Sequence, residues 1–225
     1  IMAQQNLEAA REEAFQVFRQ TGDQTALAFV GRILLVKATE ARKGSLFKKV
    51  DKFLRTAFET IAASEKDPSE ELLICRVELI IEWFLNQEKG PVVWEQFESD
   101  LLSLLQNPRY SQDTLWLFYL GVTHYHLSKF VEAEACFQTL RSRGLPWEAR
   151  QKIRCFYLGD SSEPKVLEGR LSPGAQNNCF VYSGELQNDI LVRRGDLSGR
   201  RDEIKHFRIG FSLYGPLAID RDAST

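Results

Sequence analysis

An excess of one charge is missing from this chain. Its 29 basic and 31 acidic residues leave a formal net charge of −2. That excludes whole-molecule attraction to nucleic acid or to a membrane surface, so any such binding needs a local patch. Long apolar runs are missing too. None reaches the roughly 18 residues of a membrane span, and the most apolar stretch, Ala26 to Val36, is broken by Arg32 and reads as a buried helix. No secretory signal is visible. The four cysteines, Cys75, Cys136, Cys155 and Cys179, form no C-x-x-C pair. They read as reduced, core-packed thiols, which points to a cytoplasmic protein rather than to a disulfide framework.

Catalytic signatures are also absent. There is no Gly-rich phosphate loop ending in Lys-Ser or Lys-Thr, no His-Glu-x-x-His and no Gly-x-Ser-x-Gly. His124 and His126 stand at i, i+2 on one helical pattern, which points them to different faces and makes a poor metal pair. His206 sits beside a basic stretch and reads as surface. Glu70-Glu71, and Glu132 with Glu134, read as caps or solvated helix faces. The expectation is a protein that is not an enzyme, without cofactor or metal.

What is present is ordinary in bulk and informative in order. Hydrophobic residues make up 44% and charged residues 27% of 225 positions, as in a soluble globular protein with one large domain or two small ones. Ile1 precedes the only methionine, Met2, and a helical pattern begins almost at once. This leads us to expect a piece of a longer protein.

Helical signals fill the first two thirds. Ala10, Ala14, Val17 and Phe18 mark a helix from about Asn6 to Gln20. Thr21-Gly22-Asp23 is a turn with a cap, followed by a second helix from Gln24 to about Arg42. Leu46, Val50, Phe53, Leu54 and Phe58 line a third. Asp67-Pro68-Ser69 before Glu70-Glu71 is a helix start, with a cap and then acids in the first turn. Leu72, Val77, Ile80, Ile81 and Phe84 follow, Lys89-Gly90-Pro91 ends that helix, and a fifth covers Val92 to Gln106 before Asn107-Pro108. Helices begin about every 22 residues, the rhythm of stacked helix pairs.

The next pair carries a sharper pattern. Leu120-Gly121, Phe130, Ala133, Phe137 and Pro146 stand at the spacing of a tetratricopeptide repeat, and residues 114–146 resemble that family. The resemblance implies two helices brought close by small residues, with aromatics filling the groove between repeats. His124 departs from the usual tyrosine and Leu140 from the usual alanine. A second Leu-Gly pair, Leu158-Gly159, comes 38 residues after the first.

Strand signals fill the rest. Val166 to Leu171, Cys179 to Tyr182, Asn188 to Val192, Phe207 to Leu213 and Gly215 to Ile219 are five short runs separated by turn residues. Asn188-Asp189-Ile190-Leu191-Val192 and Gly215-Pro216-Leu217-Ala218 resemble a central strand and the closing turn of a cold-shock domain, of the oligonucleotide-binding barrel class. That resemblance implies a small five-stranded barrel that binds single strands by stacking bases on exposed aromatics. Phe180 matches one stacking position. Asn178 stands where a second aromatic is usual, Leu191 where phenylalanine is usual and Arg193 where histidine is usual, and the first strand has no tryptophan.

Between Ile190 and Gly210 there are six basic and three acidic residues. Arg193, Arg194, Arg200, Arg201, Lys205 and Arg208 would track phosphates, or Asp196, Asp202 and Glu203 would neutralise them. Tyr182 and Tyr214 are further stacking candidates, each alternatively a half-buried barrel residue. A second basic cluster, Lys37, Arg42, Lys43, Lys48, Lys49 and Lys52, surrounds the second turn and reads as a solvated loop or a docking point.

The expected fold class is therefore α+β: a helical-repeat, tetratricopeptide-like solenoid over residues 1–159, a linker at 160–164, and a barrel over 165–225. The expected function is a non-enzymatic sensor or interaction module. The barrel would bind single-stranded RNA or DNA, and the repeats a protein partner or another domain of the parent protein, with no membrane involved. The alternative is a purely protein-binding or autoinhibitory arm. The combination resembles the C-terminal part of large multidomain P-loop regulators.

Overall fold

The computed structural model describes residues 2–61, 68–86, 93–146, 148–149, 152–159, 163–173, 179–193 and 196–221. Among these the protein is α+β, seven helices followed by a curled antiparallel sheet. Asp67, Lys89-Gly90-Pro91 and Asp160 to Ser162, read above as a helix start, a helix end and part of the linker, lie outside the described residues. By its contacts the chain divides into two compact units, Ile1–Ser111 and Gln112–Thr225.

The first unit holds α1 (Met2–Thr21), α2 (Gln24–Lys43), α3 (Phe47–Ile61), α4 (Glu70–Asn86) and α5 (Trp94–Gln106). The expected turn before α2 is there: Gly22 takes a positive φ of 70°, and the Asp23 carboxylate accepts the Thr25 N–H at 2.9 Å. A side-chain cap of this kind removes one orphan donor of the first helical turn. Ser69 caps α4 through the Leu72 N–H at 3.3 Å. Apolar residues at i, i+3, i+4 spacing give each helix one face to bury. Leu27, Leu34 and Ala38 of α2, Leu54 and Ile61 of α3, and Leu72, Leu79 and Trp83 of α4 share one core. Two ion pairs tie this layer together. Arg42 reaches Glu82 at 2.5 Å, and Arg76 grips Asp100, whose side chain is 2% exposed.

The second unit holds α6 (Thr114–His126), α7 (Phe130–Ser142) and six strands: β1 (Cys155–Phe156), β2 (Val166–Pro173), β3 (Cys179–Ser183), β4 (Asn188–Leu191), β5 (Ile204–Ser212) and β6 (Gly215–Asp220). Asp113 caps α6 by accepting from the Leu115 and Trp116 amides. A small residue of α6 stands at its contact with α7. A Cβ on Gly121 would lie 3.0 Å from the Phe137 ring and 3.2 Å from the Cys136 Cβ, so glycine sets the approach of the two helices. α6 is buried nearly all round, from Phe118 to Tyr125, because its other side meets the sheet. The Tyr125 and Phe137 rings pack on Phe211 of β5 with centroids 5.2 and 6.3 Å away.

In the sheet, β2, β3 and β4 form an antiparallel meander, β2 also pairs β5, and β5 pairs β6 on its other edge. β1 pairs the C-terminal part of β5, at Phe211 and Gly210, beyond the stretch that β2 uses. The residue after β4 then meets β6: Val192 bridges Ala218 in parallel, and the Arg193 N–H donates to the Ala218 carbonyl at 2.9 Å. The ladder therefore runs β4–β3–β2–β5–β6 and returns to the end of β4. Leu167, Leu171, Val181, Ile190, Phe207 and Ile209 alternate inward and are buried. The β2–β3 crossing is close at Gly169. A Cβ there would fall 2.4 Å from Val181 Cγ1 and 2.6 Å from the Tyr182 carbonyl oxygen.

Candidate functional site

Residues opposite one another in an antiparallel ladder share a face, and successive residues alternate faces. The inward set is fixed by burial, so the register fixes what stands outside. Arg170 on β2 is opposite Tyr182 on β3, and Tyr182 is opposite Asp189 on β4. All three are exposed, with Tyr182 at 45%. One step along, Ser172, Phe180 and Leu191 form a second, half-buried row on the same face. This places two aromatics at i, i+2 on β3, with Tyr182 flanked by a guanidinium on one side and a carboxylate on the other.

Beyond the backbone ladder, neither the Arg170 nor the Asp189 side chain has a hydrogen-bond or ion-pair partner among the described residues. Both are absent from the residues singled out by sequence. The alternation Val166, Glu168, Arg170 outward against Leu167 and Leu171 inward was available to find Arg170. Its pairing with Tyr182 was not, because the β2–β3 register depends on a loop whose sequence does not specify its length of turn.

The remaining sequence candidates scatter. The Arg193 guanidinium is gripped by both oxygens of Asp196, at 2.7 and 3.0 Å. Lys205 reaches Glu203 at 2.7 Å, and the Arg200 N–H donates to the same carboxylate at 2.8 Å. These bonds, that of Lys205 foremost, hold the Glu203 carboxyl below the usual carboxylate range. The Arg208 guanidinium lies over the Phe156 ring, 5.5 Å from its centroid. Arg201 is exposed. Tyr214 belongs to the β5–β6 turn, where its carbonyl accepts from Arg141 at 2.9 Å and its hydroxyl donates to the Leu145 carbonyl at 3.4 Å. Arg194 and Asn178 lie outside the described residues. His206 pairs loosely with Glu168 at 3.5 Å, both well exposed, and a pair in that setting contributes little.

Among the described residues no group of three or more His, Cys, Asp or Glu is placed to hold a metal ion, and no helix is long and apolar enough to cross a membrane. Cys75, Cys136 and Cys155 are buried free thiols. Burial pushes Cys75 up to about 12 and Cys136 up to about 11, which leaves neither a thiolate nucleophile at neutral pH. His124 Nδ1 lies 3.9 Å from the Cys136 sulfur inside the helix pair. His126 stacks on Tyr157.

No family model, curated protein or solved structure matches this chain.

Proposed function

We propose that the outward face of β2, β3 and β4 binds single-stranded nucleic acid, in a non-enzymatic sensor or interaction module whose helices engage a protein partner. The observation that carries this reading is the exposed Tyr182, two residues from Phe180 on the outward side of β3 and directly across from Arg170, whose side chain has no partner among the described residues. An exposed aromatic side chain beside a guanidinium suits an unstacked base. The strand circuit supports it as well. A five-stranded Greek-key barrel of the oligonucleotide-binding class uses the face of its second and third strands. Counted within the circuit of β2 to β6, those strands are β3 and β4.

The charge balance supports only a modest phosphate term. Arg193 and Lys205 spend their charge on Asp196 and Glu203. Affinity then rests on stacking, worth about 1–3 kcal/mol per base, with a shallow dependence on salt. The same internal pairing favours a second reading, in which this face docks a protein segment or another domain of a larger nucleotide-hydrolysing regulator.

Fluorescence anisotropy of labelled single-stranded RNA, single-stranded DNA and duplex DNA against the full chain, at two salt concentrations, separates the two. The first reading expects single strands to bind in preference to duplex, and Tyr182→Ala to weaken them by roughly 5- to 150-fold. Absence of binding at low salt, or binding that Tyr182→Ala leaves unchanged, removes that reading and leaves the protein-docking one.

A further inference from the structure

We infer that the Tyr182 platform selects guanine over the other bases. The inference rests on the single-strand reading of the same face and deepens it.

Arg170, Tyr182 and Asp189 form one line across three strands. Neighbouring strands lie about 4.8 Å apart, so a base stacked on the Tyr182 ring has a guanidinium on one side and a carboxylate on the other. Their hydrogen-bonding capacities are opposite and fixed. Arginine only donates, through a planar fork. An ionised carboxylate only accepts. A base that satisfies both must present adjacent acceptors on one edge and adjacent donors on another.

Guanine alone does so. Its N7 and O6 are neighbouring acceptors suited to the arginine fork, and its N1–H and N2 amino group are neighbouring donors suited to the carboxylate. Adenine carries its one amino donor between the N7 and N1 acceptors, so on either of those edges a protein group would meet one matched and one opposed atom. Cytosine and uracil carry their polar atoms along a single edge, and one ring does not extend toward both strands. Arg170 and Asp189 have no partner among the described residues that would have to be displaced first. The half-buried Phe180 and Leu191 in the next row supply an apolar shelf for a neighbouring base. Neither has a polar side-chain atom, and the one polar group of that row, the Ser172 hydroxyl, both donates and accepts, so charge-based selection is confined to one position.

The test uses labelled oligouridine strands carrying a single central guanosine, 7-deazaguanosine, inosine or adenosine, titrated with the full chain and with Asp189→Asn and Arg170→Lys. Thermal melts check that each variant stays folded. Guanosine should bind on the order of 10-fold tighter than adenosine. Inosine, lacking the N2 amino group, and 7-deazaguanosine, lacking N7, should fall between them. Asp189→Asn should remove most of the advantage of guanosine over inosine. Arg170→Lys should remove that of guanosine over 7-deazaguanosine. Tyr182-dependent binding with equal affinity for all four strands overturns the guanine inference and leaves the single-strand reading intact. No binding of any strand overturns both.

Discussion

Both carboxylate oxygens of Asp196 hold the Arg193 guanidinium, at 2.7 and 3.0 Å, immediately after β4. This two-pronged bond fixes a cation three residues from its anion and removes its charge from the surface. If a strand is bound as proposed, the bond would compete with phosphate for Arg193.

Releasing that competitor gives a direct check. Asp196→Asn with Glu203→Gln should free Arg193 and Lys205 together. Each cation that then meets a phosphate should steepen the slope of log affinity against log salt by about 0.7 for a single strand. Anisotropy titrations at several salt concentrations read this out. An unchanged slope with unchanged affinity would mean that the bound strand does not pass along the segment from Arg193 to Arg208.

Gly169 tests whether the platform depends on the curl beneath it. A methyl group there meets the Val181 side chain at 2.4 Å and, less forgivingly, the backbone oxygen of Tyr182 at 2.6 Å. Gly169→Ala should cost about 1–3 kcal/mol through overpacking. For the unit Gln112–Thr225 each kcal/mol lowers Tm by about 4 °C, between the figures for smaller and larger domains. Because the contact is with Tyr182's own peptide, strand binding should also weaken at temperatures where the variant is fully folded. A wild-type melt with wild-type binding would show that β2 and β3 separate without consequence.

Much of this architecture was legible in sequence, for physical reasons that also mark the limit. The strands come close to their expected bounds because alternation and flanking turn residues are local signals. Asp23, Ser69 and Asn107 mark helix ends for the same reason. Pairing is not local. Nothing in the spacing of Tyr125 and Phe137 says that their rings pack on Phe211, some 70 to 90 positions on, and β1 is too short to carry a pattern. At the candidate site, composition drew notice to the arginine-rich segment after β4. The register instead brings forward Arg170 and Asp189, whose importance comes only from what stands opposite them. The acids within that basic segment were visible as neighbours. Their hold on Arg193 and Lys205 depends on the path of the loop.

Asp100 offers a stability test in the helical unit. Its carboxylate is 2% exposed and is shared by Arg76 and by the Gln96 amide, the latter at 2.9 Å. Asp100→Ala strands a largely enclosed guanidinium and should cost about 3–5 kcal/mol. Replacing both partners, as in Arg76→Met with Asp100→Leu, should recover most of that loss, since two apolar groups leave no buried charge unmatched. Urea denaturation of the three proteins measures it. Equal losses in the single and double variants would mean that packing around α4 and α5, rather than charge, sets the cost.

His126 makes the second unit sensitive to acid. Its ring stacks on Tyr157 at 4.7 Å, its Nε2 is enclosed, and burial pushes its pKa down to about 3, against a smaller opposing backbone hydrogen bond at Phe156. The unfolded chain protonates this histidine near pH 6.5. Above that pH the ring is neutral in both states and its full contribution to stability is present. As pH falls below 6.5, the unfolded state takes up a proton that the folded state refuses until about pH 3, so stability drops across that window. The slope is about 1.4 kcal/mol per pH unit for one proton. His126→Phe keeps an aromatic ring against Tyr157 and removes the titration. Urea denaturation from pH 7.5 down to pH 4 should give a steeper acid loss for the wild type, by close to one proton. Parallel curves would mean that His126 accepts its proton in the folded protein, and that the enclosure around Tyr125, Tyr157 and Phe211 opens to water more readily than their packing implies.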